Sequence, residues 1–311
     1  MSASIVVVGS LNMDFVVSVK HLPAPGETVL GSGFQMLPGG KGANQAYAAG
    51  RLASETTRVR MIGRVGQDVF GDQLKASLSA AGVDVSSVHT SRSQPTGVAL
   101  IAVEASGQNS IVVASGANMD MPATDVEAMR RVFRGATVAL FQLETPLDTV
   151  EGALRIAREE GLTTILDPAP AQPLTDELLA LVDILTPNEA EALGLIGEKV
   201  RRLAPAEAGE IAHQLRQRGP RTVIIKLGDQ GCFADEGGTA NHFPSFRVDP
   251  VDTTAAGDTF NAALAVALAD DSSLDAAIQF ANAAAAISVT RKGAQASAPS
   301  RAEVWALIGT S

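Results

Sequence analysis

PVDTTAAGDTFN, residues 250–261, is the most informative stretch of this 311-residue chain. Ala255, Ala256 and Gly257 leave the backbone uncovered, and the apolar run Ala262–Ala269 that follows predicts a helix. Uncovered N–H groups at the start of a helix, together with the helix dipole, favour a bound anion. This stretch therefore predicts an anion site at the start of a buried helix.

Asp258 comes directly after the three small residues, where its charge opposes that of a bound anion. A carboxylate fits there if it accepts the proton of a hydroxyl group that attacks the anion, as in a kinase that phosphorylates an alcohol. The alternative is that Asp258 is an ordinary N-cap, since aspartate is common at that position. Both interpretations of Asp258, as a catalytic base and as a cap, remain open at this point.

The composition excludes several classes of protein. The net charge of -10 argues against general nucleic-acid binding, which needs a basic face. The single cysteine, Cys232, allows no intramolecular disulfide and fits a reducing compartment, and the four histidines are too far apart for a zinc site. No stretch approaches the roughly 20 apolar residues of a membrane span, and the N-terminus does not resemble a signal peptide. We expect a cytoplasmic protein that binds neither nucleic acid nor membrane.

Strand and helix patterns alternate along most of the chain. Ile5–Val8 is a continuous β-branched run, which is typical of a strand covered on both faces of a parallel sheet. Helical patterns separate further strands that we predict at Val59–Gly63, Thr137–Leu143, Thr163–Leu166, Val182–Leu185 and Thr222–Leu227. This alternation predicts βαβ units and an α/β fold around a parallel sheet.

Two predicted hairpins stand apart from this alternation. The first pairs Phe15–Lys20 with Thr28–Met36, and the second pairs Gly97–Val103 with Ser110–Ala114 through a turn around Ser106–Asn109. Their strands are short and are not interleaved with helices. We therefore place them in a small β layer beside the main sheet, where we expect it to act as a lid.

Polar side chains follow the predicted strands, at the edge where open α/β sheets bind their ligands. Asn12 and Asp14 suit a polyol there, although each also fits an Asx turn. Several polar groups on one rim indicate a site. The groups are Asn12, Asp14, Glu144, Asp167, Asn188 and Lys226.

The segment Pro38–Arg51 (PGGKGANQAYAAGR) is rich in glycine and leads into a predicted helix. Its glycines let the backbone approach a ligand closely. It is not a P-loop, because Gly42 rather than Ser or Thr follows Lys41, and the chain has no G-x-G-x-x-G after a strand that would indicate a nicotinamide cofactor. Lys41 and Asn44 are candidates for contacts with a ligand; the alternative is a flexible loop with an exposed lysine.

Asn188 and Glu191 are three residues apart at the start of a predicted helix and share the face of its first turn. An amide and a carboxylate at that spacing suit hydrated Mg²⁺, which keeps several waters and needs few protein ligands. The alternative is an N-cap followed by an exposed helix charge.

Six blocks of the sequence resemble, in order and at similar spacing, the ribokinase-like family of carbohydrate kinases, of the phosphofructokinase-B type. This resemblance covers the chain from Ile5 to its C-terminus and implies a single domain, residues 1–311, with a doubly wound, mostly parallel sheet flanked by helices. It also implies a β-sheet lid at about residues 14–37 and 97–115, and a homodimer in which two lids pack together. The blocks are Gly9–Asp14, Pro38–Arg51, Asp167–Ala171, Thr186–Glu191, Val251–Asn261 and Thr290–Gln295.

The resemblance implies that ATP is the phosphoryl donor and that the primary (5-) hydroxyl of D-ribose is the acceptor, giving D-ribose 5-phosphate and ADP. It makes Asp258 the catalytic base, with Ala255, Ala256 and Gly257 as the anion hole. The residues implied to contact the sugar, together with Asp258, are Asn12, Asp14, Gly39, Gly40, Lys41, Asn44 and Glu144.

The cofactors that the resemblance implies are ATP, Mg²⁺ and an activating K⁺. Glu191, with Asn188, is the implied contact to the water shell of the magnesium ion. The nucleotide-binding residues would be Asn188, Lys226, Leu227, Gly228, Asp229, Gln230, Gly231, Gly257 and Asn282. Potassium would be held mainly by backbone carbonyls at Asp252, Thr254, Ser288, Arg291, Gly293 and Ser297, and would tie the anion-hole loop to the C-terminal loop.

Two positions leave alternatives open. Lys226 stands where the family has a small residue such as threonine, and its side chain either reaches a phosphate or points to solvent. Met13 lies between two sugar-binding candidates, where a bulky apolar group beside the ring would favour a deoxy sugar. Other acceptors are 2-deoxyribose, a ketohexose, a sugar acid or a nucleoside; the alternative of another class is a non-catalytic sensor of sugar or nucleotide, which would have no need of Asp258.

Overall fold

The computed structural model describes residues 3–104 and 108–310. The predicted turn at Ser106 and Gly107, which falls within the predicted lid, lies outside the described residues. The strands are β1 (Ser4–Val8), β2 (Asn12–Val19), β3 (Ser32–Gly39), β4 (Arg58–Gly66), β5 (Val83–Ser91), β6 (Gly97–Glu104), β7 (Asn109–Ala114), β8 (Val138–Phe141), β9 (Thr163–Leu166), β10 (Ile184–Leu185), β11 (Thr222–Lys226), β12 (Cys232–Glu236) and β13 (Thr239–Phe243).

The helices are α1 (Lys41–Leu52), α2 (Val69–Ala80), α3 (Ala123–Ala128), α4 (Leu147–Glu159), α5 (Asp176–Leu179), α6 (Glu189–Leu195), α7 (Pro205–Arg216), α8 (Ala256–Ala269), α9 (Leu274–Ser288) and α10 (Arg301–Gly309). No helix of the described residues, 3–104 and 108–310, combines the length and the apolar character needed to cross a bilayer.

Nine strands form the main sheet, in the order β13-β12-β11-β10-β9-β8-β1-β4-β5. The strands from β11 to β5 run parallel, and β12 and β13 add an antiparallel edge. From β1 the chain proceeds outward to β4 and β5, then returns to β8 on the other side of β1 and continues outward to β11. The order therefore reverses between β1 and β8, which is the point where open α/β sheets bind ligands.

Apolar side chains cover both faces of the main sheet, as the β-branched sequence of β1 predicts. One core cluster packs the sheet against α1, α2, α8 and α9, and the other packs it against α4, α6 and α7. Ile5 and Val7 belong to the first cluster and Val6 and Val8 to the second, because successive side chains of a strand point to opposite faces. The predicted doubly wound, mostly parallel α/β fold is confirmed.

A separate sheet of four strands has the order β3-β2-β6-β7. Each predicted hairpin supplies two of its strands, and β2 and β6 join the hairpins by parallel pairing. Asn12 and Asp14 therefore lie at the start of β2, not in a turn. Met13, between them, points to the opposite side and is buried in the main core, so it does not lie beside them as a contact to a sugar ring.

Three strands of the main sheet were not predicted from the sequence. β5 (VDVSSVHTS) and the edge hairpin of β12 and β13 carry polar side chains at alternate or exposed positions, and they lack the continuous apolar run of a central parallel strand. They lie at the two outer edges of the sheet, where one side or face remains in contact with water.

Candidate active site

Asp258 lies in the first turn of α8, and its side chain is buried. The helix begins after Ala255, which adopts a left-handed conformation with a φ of 57°. Such a backbone is strained for a residue with a Cβ and persists where its surroundings hold it. Since Ala255 occupies the N-cap position and supplies no side-chain hydrogen bond, Asp258 is not the cap, and the alternative interpretation of this aspartate is wrong.

Two amide side chains of α1 hold the Asp258 carboxylate. Asn44 Nδ2 donates to Asp258 Oδ2 (3.1 Å), and Gln45 Nε2 donates to Asp258 Oδ1 (3.0 Å). The amide of Gln45 is itself oriented by Gln142, whose Nε2 donates to Gln45 Oε1 (2.7 Å). Both Asp258 oxygens thus have a fixed direction before any substrate binds.

Burial raises the pKa of Asp258 to about 6, and Asp167 contributes in the same direction, while the positive charge of Lys41 and the two amide hydrogen bonds oppose the rise. The carboxyl group is therefore ionised at neutral pH but is a stronger base than an exposed aspartate. A pKa close to the working pH is what a general base requires.

Glu144 accepts hydrogen bonds from several polar groups at the point where the strand order reverses. Its Oε2 accepts hydrogen bonds from Ser10 Oγ (2.5 Å), from the backbone N–H of Lys41 (3.1 Å) and from Asn12 Nδ2 (3.5 Å). Ser10 follows β1 and Glu144 follows β8, so the parallel pairing of these strands brings the two residues together. Glu144 Oε1 accepts no hydrogen bond from the described residues, 3–104 and 108–310, which leaves this oxygen for a ligand.

Asn12 is fixed from the other side by a residue that was not predicted. Asn118 Nδ2 donates to Asn12 Oδ1 (2.7 Å) and to Leu11 O (3.1 Å), and Asn118 Oδ1 accepts the N–H of Leu11 (2.9 Å). Asn118 is 1% exposed and lies in a short 3₁₀ helix, Gly116–Met119. No motif marks it in the sequence, because its role depends on the return of the chain from β7.

Asp14 lies over the glycines that precede α1. A Cβ on Gly39 would be 2.1 Å from Asp14 Oδ2, so only glycine leaves room for this carboxylate. Gly40 has a φ of 88°, a conformation that L side chains rarely adopt, and turns the backbone into α1. Burial, together with the charges of Glu144 and Asp258, raises the pKa of Asp14 to about 7.

Lys41 occupies the first position of α1, between these carboxylates and a large cavity. Burial by itself would lower its pKa, but the negative charges of Asp258, Asp167, Glu144 and Glu191 raise the pKa above its ordinary value. Its side chain is largely buried, so the alternative of a flexible loop with an exposed lysine is wrong. Lys41 is a cation enclosed by carboxylates.

A buried pair connects this cluster to β11. Lys226 Nζ donates to Asp167 Oδ1 (2.9 Å), and Asp167 Oδ2 accepts from Gln45 Nε2 (3.1 Å). Gln45 therefore contacts Asp258 and Asp167 together. Gln45 was not among the predicted site residues, because in the helical pattern of α1 it resembles an ordinary polar position.

Asn188 and Glu191 form a capping box at the start of α6. Asn188 Oδ1 accepts the N–H of Glu191 (2.9 Å), and Glu191 accepts the N–H (2.7 Å) and the Nδ2 group (2.9 Å) of Asn188. Burial raises the pKa of Glu191, against the opposing charge of Lys226. The cap interpretation of Asn188 is correct, but Glu191 is 8% exposed and is not the exposed charge of the alternative.

A cavity of about 1200 Å³ opens beside the start of α8. Lys41, Asp258 and Lys226 form the end of it that meets the Glu144 cluster. The predicted nucleotide-binding residues that line it are Asn188, Lys226, Leu227, Gly228, Asp229, Gly231, Gly257 and Asn282. Gln230 is the exception, since its side chain donates to Leu203 O (2.9 Å) and is not part of the lining.

The segments predicted to hold potassium are adjacent in the structure. Asp252 accepts the N–H of Thr254 through Oδ1 and the N–H of Gly293 through Oδ2, each at 2.9 Å. Ser288 and Ser297 donate their hydroxyl groups to nearby carbonyls, and the Arg291 guanidinium pairs with Glu303. The side chains of Asp252, Ser288, Arg291 and Ser297 are therefore engaged in local interactions, which leaves backbone carbonyls of the two segments as the candidate groups for a monovalent cation.

Known proteins match this chain over nearly all of its length. Residues 2–301 match the model of the pfkB family of carbohydrate kinases. A ribokinase of Haemophilus influenzae is 44% identical over 304 residues, covering 97% of this chain and 97% of that protein. A ribokinase of Bacillus subtilis is 43% identical over 306 residues, covering 98% of this chain and 99% of that protein.

Solved structures agree with these relatives. The structure of Arabidopsis thaliana ribokinase complexed with ribose and ATP superposes with a TM-score of 0.92 at 34% identity, covering 100% of both chains. The ribokinase of Thermotoga maritima superposes with a TM-score of 0.88 at 37% identity, covering 99% of this chain and 100% of that one. From its sequence, its fold and the geometry of its site, the chain belongs to the pfkB family of carbohydrate kinases.

Proposed function

We propose that the protein transfers the γ-phosphoryl group of ATP to the primary (5-) hydroxyl of D-ribose, giving D-ribose 5-phosphate and ADP. The observation that carries the proposal is the position of Asp258. Its buried carboxylate is oriented by Asn44 and Gln45 and lies between the Glu144 cluster and the large cavity. Relatives named ribokinase at 44% and 43% identity support ribose as the acceptor.

Asp258 acts as the general base. A carboxylate whose pKa is about 6 does not remove the proton of a sugar hydroxyl in the ground state. It accepts that proton as the bond between oxygen and phosphorus forms, since phosphoryl transfer passes through a loose transition state in which the nucleophile needs little activation. The hydrogen bonds from Asn44 and Gln45 hold the receiving oxygen in position.

Ala255, Ala256 and Gly257 provide the anion hole at the start of α8. The N–H of Ala256 donates a long hydrogen bond to Thr253 O (3.3 Å). The other backbone N–H groups of this segment and the helix dipole favour the charge that develops on the equatorial phosphoryl oxygens. The left-handed conformation of Ala255 sets the direction in which this segment enters the helix. Strain held at a site of this kind serves to orient groups before the reaction.

The sugar binds among Asn12, Asp14, Gly39, Gly40, Lys41, Asn44 and Glu144, and Asp258 receives the hydroxyl that reacts. Carboxylates and amides accept and donate to the hydroxyl groups of a polyol. Asn12 and Glu144 are already fixed by Asn118, Ser10 and the backbone of Lys41. A site with polar groups fixed in this way rejects acceptors that lack the matching hydroxyls.

The nucleotide occupies the cavity of about 1200 Å³ lined by Asn188, the segment 226–231 and Asn282. Magnesium, if bound with ATP, would neutralise part of the phosphate charge. Glu191 fits this role, since each of its carboxylate oxygens accepts one hydrogen bond from Asn188 and retains a lone pair for a metal-bound water. Since the proposed donor is ATP, we also propose that the protein works in the cytoplasm.

Potassium fits the carbonyl groups around Asp252, Thr254, Ser288, Arg291, Gly293 and Ser297. The anion-hole loop and the C-terminal loop are already joined through the Asp252 carboxylate and through Val289 O, which accepts the N–H groups of Val251 (2.7 Å) and Asp252 (3.1 Å). A cation between these loops would fix the anion hole further. We expect turnover to rise when K⁺ replaces a large organic cation at constant ionic strength; an unchanged rate would exclude this role.

We propose that residues 14–37 and 97–115 form a lid and that two lids pack together in a homodimer. The β pairing places Phe34, Met36, Leu100 and Val112 on one face of the small sheet and Ile111 and Val113 on the other, and all six side chains are exposed. An apolar patch of this kind indicates a protein contact.

Light scattering tests the dimer. The wild-type protein should have twice the 32.0 kDa chain mass, and Val112→Asp, at a site that is 63% exposed, should lower the measured mass. Val200→Asp, an exposed valine outside the small sheet, is the control. A wild-type mass of one chain would contradict the dimer.

ADP production tests the function. The purified protein is given Mg-ATP, K⁺ and either D-ribose, 2-deoxyribose, fructose, a nucleoside or no acceptor. Selective turnover of ribose is expected. A preference for another acceptor would leave the mechanism and change the substrate, and binding of sugar or nucleotide without turnover of any acceptor would favour a sensor.

A further inference from the structure

Lys226 places a cation directly over the start of α8. It is the last residue of β11, and its side chain is 13% exposed. A Cβ added to Gly257 would lie 3.2 Å from Lys226 Nζ, so the ammonium group contacts the anion-hole segment itself. Of the two orientations that the sequence left open, the side chain takes the one directed into the site.

This position is unfavourable for a cation unless an anion accompanies it. The partial positive charge of a helix N-terminus repels an ammonium group and attracts a phosphate. In the structure, Asp167 supplies the compensating charge through its hydrogen bond to Nζ (2.9 Å). That carboxylate also accepts a hydrogen bond from Gln45, so Lys226 is not its sole partner.

We propose that Lys226 binds the γ-phosphoryl group of ATP during its transfer, and that Asp167 holds the ammonium group in place when no nucleotide is present. This inference rests on the proposed kinase function. A phosphoryl group at the start of α8 would meet Nζ on the side of β11 and the amide of Gly257 on the side of the helix. The four-carbon stem lets Nζ move from the carboxylate to a phosphoryl oxygen without a change in the backbone.

Lys41, the first residue of α1, is a second cation of this site. Both lysines line the cavity together with Asp258 and Gly257. Two cations would then approach the transferred group from two secondary-structure elements. Phosphoryl transfer mainly requires positive groups close to the negatively charged equatorial oxygens of the transferred group.

Nucleotide binding distinguishes this role from a structural one, in which Lys226 merely neutralises Asp167. The variant Lys226→Gln removes the charge but keeps a donor for Asp167, and Lys226→Arg keeps the charge. Lys75→Gln is the matched control, since Lys75 is partly exposed on α2, outside the cavity, and donates to Thr90 Oγ1 (3.1 Å). Calorimetric titrations with Mg²⁺ compare ADP with an ATP analogue that has an imido bridge between its β- and γ-phosphorus atoms.

We expect Lys226→Gln to weaken binding of the ATP analogue about tenfold or more, the usual effect of losing a hydrogen bond to a charged group, and that of ADP less than about twofold. Its kcat should fall about 10²-fold, the effect of removing one donor to a developing anion. Lys226→Arg should lie between this variant and the wild type, and Lys75→Gln should match the wild type.

Equal losses for both nucleotides, or no loss for either, would overturn the proposal and leave Lys226 as a partner of Asp167. If Lys226→Gln does not fold, Lys226→Met with Asp167→Asn removes both charges of the buried pair and takes its place in the titrations. The titrations contain no sugar. Failure of ribose as the acceptor would therefore appear only in the turnover assay and would be distinguishable from failure of the Lys226 proposal.

Discussion

The proposed sugar end of the site, around Asp258 and Glu144, and the proposed nucleotide end, at the large cavity, are constructed differently. At the sugar end, Asp258 is held by two amides, and Glu144 Oε2 by three donors, without any ligand. At the nucleotide end, a cavity of about 1200 Å³ is bordered by Gly228 and Asp229, which are exposed. The difference indicates that selectivity is determined at the sugar end, where polar groups have fixed directions before binding.

The two ends also differ in charge. Burial brings the pKa of Asp14 to about 7 and that of Asp258 to about 6, so the sugar end contains carboxyl groups that resist ionisation. Arg201 and Arg202 line the nucleotide end and form ion pairs with Glu207 and Asp229 there. Burial also raises the pKa of Glu191 at the proposed nucleotide end, so the two ends differ in their arginines and not in the presence of buried carboxylates. The largest effects of substitution should be found at the fixed hydrogen bonds of the proposed sugar end.

The largest effect is expected for Asp258→Asn, which removes the proposed base where the two ends meet. The amide cannot accept the sugar proton, so kcat should fall by about 10²–10⁴, the range for general base catalysis. Steady-state kinetics measures this loss, and calorimetry should show that nucleotide and sugar still bind. Asp72→Asn, at an exposed position on α2 outside the cavity, is the control.

A folded Asp258→Asn variant with near-wild-type turnover would remove Asp258 from the mechanism. The pH dependence of kcat/KM is a second test of the role of Asp258. In the wild type, kcat/KM should decrease as the pH falls through about 6, because Asp258 becomes protonated there.

Asp14→Asn should raise the free energy of unfolding, although it removes a carboxylate from the proposed sugar site. Below the ordinary pKa of 3.8, Asp14 is protonated in both the folded and the unfolded chain. Between 3.8 and about 7 the unfolded chain releases the proton while the folded protein retains it, so stability falls as the pH rises through this window and stays lower above it. In the wild type this ionisation lowers the free energy of unfolding by at most roughly 4 kcal/mol. The asparagine variant has no such decrease.

Thermal unfolding at several pH values measures this effect. The melting temperature of Asp14→Asn should exceed that of the wild type by several degrees at about pH 8, and the difference should vanish near pH 4. Asp72→Asn again provides the control. A constant difference at every pH would mean that packing over Gly39, and not ionisation, causes the change.

Glu144→Gln should affect the sugar end alone. An amide cannot accept from Ser10, Asn12 and the Lys41 backbone and also present an acceptor to the sugar, so the KM for the sugar should rise about 10–100-fold, as for a lost hydrogen bond to a charged group. The KM for ATP should stay within about twofold. Equal increases in both values would show that the two ends are not separable.

The sequence predicted site residues best where polar residues directly follow a central strand. The runs Ile5–Val8 and Thr163–Leu166 predicted central parallel strands, and the polar groups after such strands meet at one edge because parallel strands end together. Glu144 could be predicted as a site residue for this reason. Its partner Ser10 was visible only as part of a motif, since the hydrogen bond between them depends on the adjacency of β1 and β8.

Other features depend on contacts that no local pattern contains. Gln45 reaches Asp258 and Asp167 because α1 packs beside α8, and Asn118 reaches Asn12 only after the chain returns from the small sheet. Met13 was expected near the sugar from its neighbours, but the alternation of side chains along β2 directs it into the core. The direction of the Lys226 side chain likewise required Asp167 and Gly257 in three dimensions.

The smallest effect is expected for Asn282→Ala, at the nucleotide end. Asn282 Nδ2 donates to Phe243 O (3.3 Å) and Pro244 O (3.5 Å), two long hydrogen bonds that tie α9 to the loop after β13. Ser245 and Phe246 of that loop line the cavity, so loosening it should raise the KM for ATP about two- to fivefold, since each long bond contributes about 1 kcal/mol or less.

Asn241→Ala is the matched control for this variant, because Asn241 is exposed on β13. The KM for the sugar should not change in either variant. An increase of more than about thirtyfold in the KM for ATP of Asn282→Ala, which corresponds to about 2 kcal/mol, would exceed what two long bonds account for. The nucleotide end would then be as firmly organised as the sugar end, and selectivity could no longer be assigned to the sugar end on the grounds of its fixed hydrogen bonds.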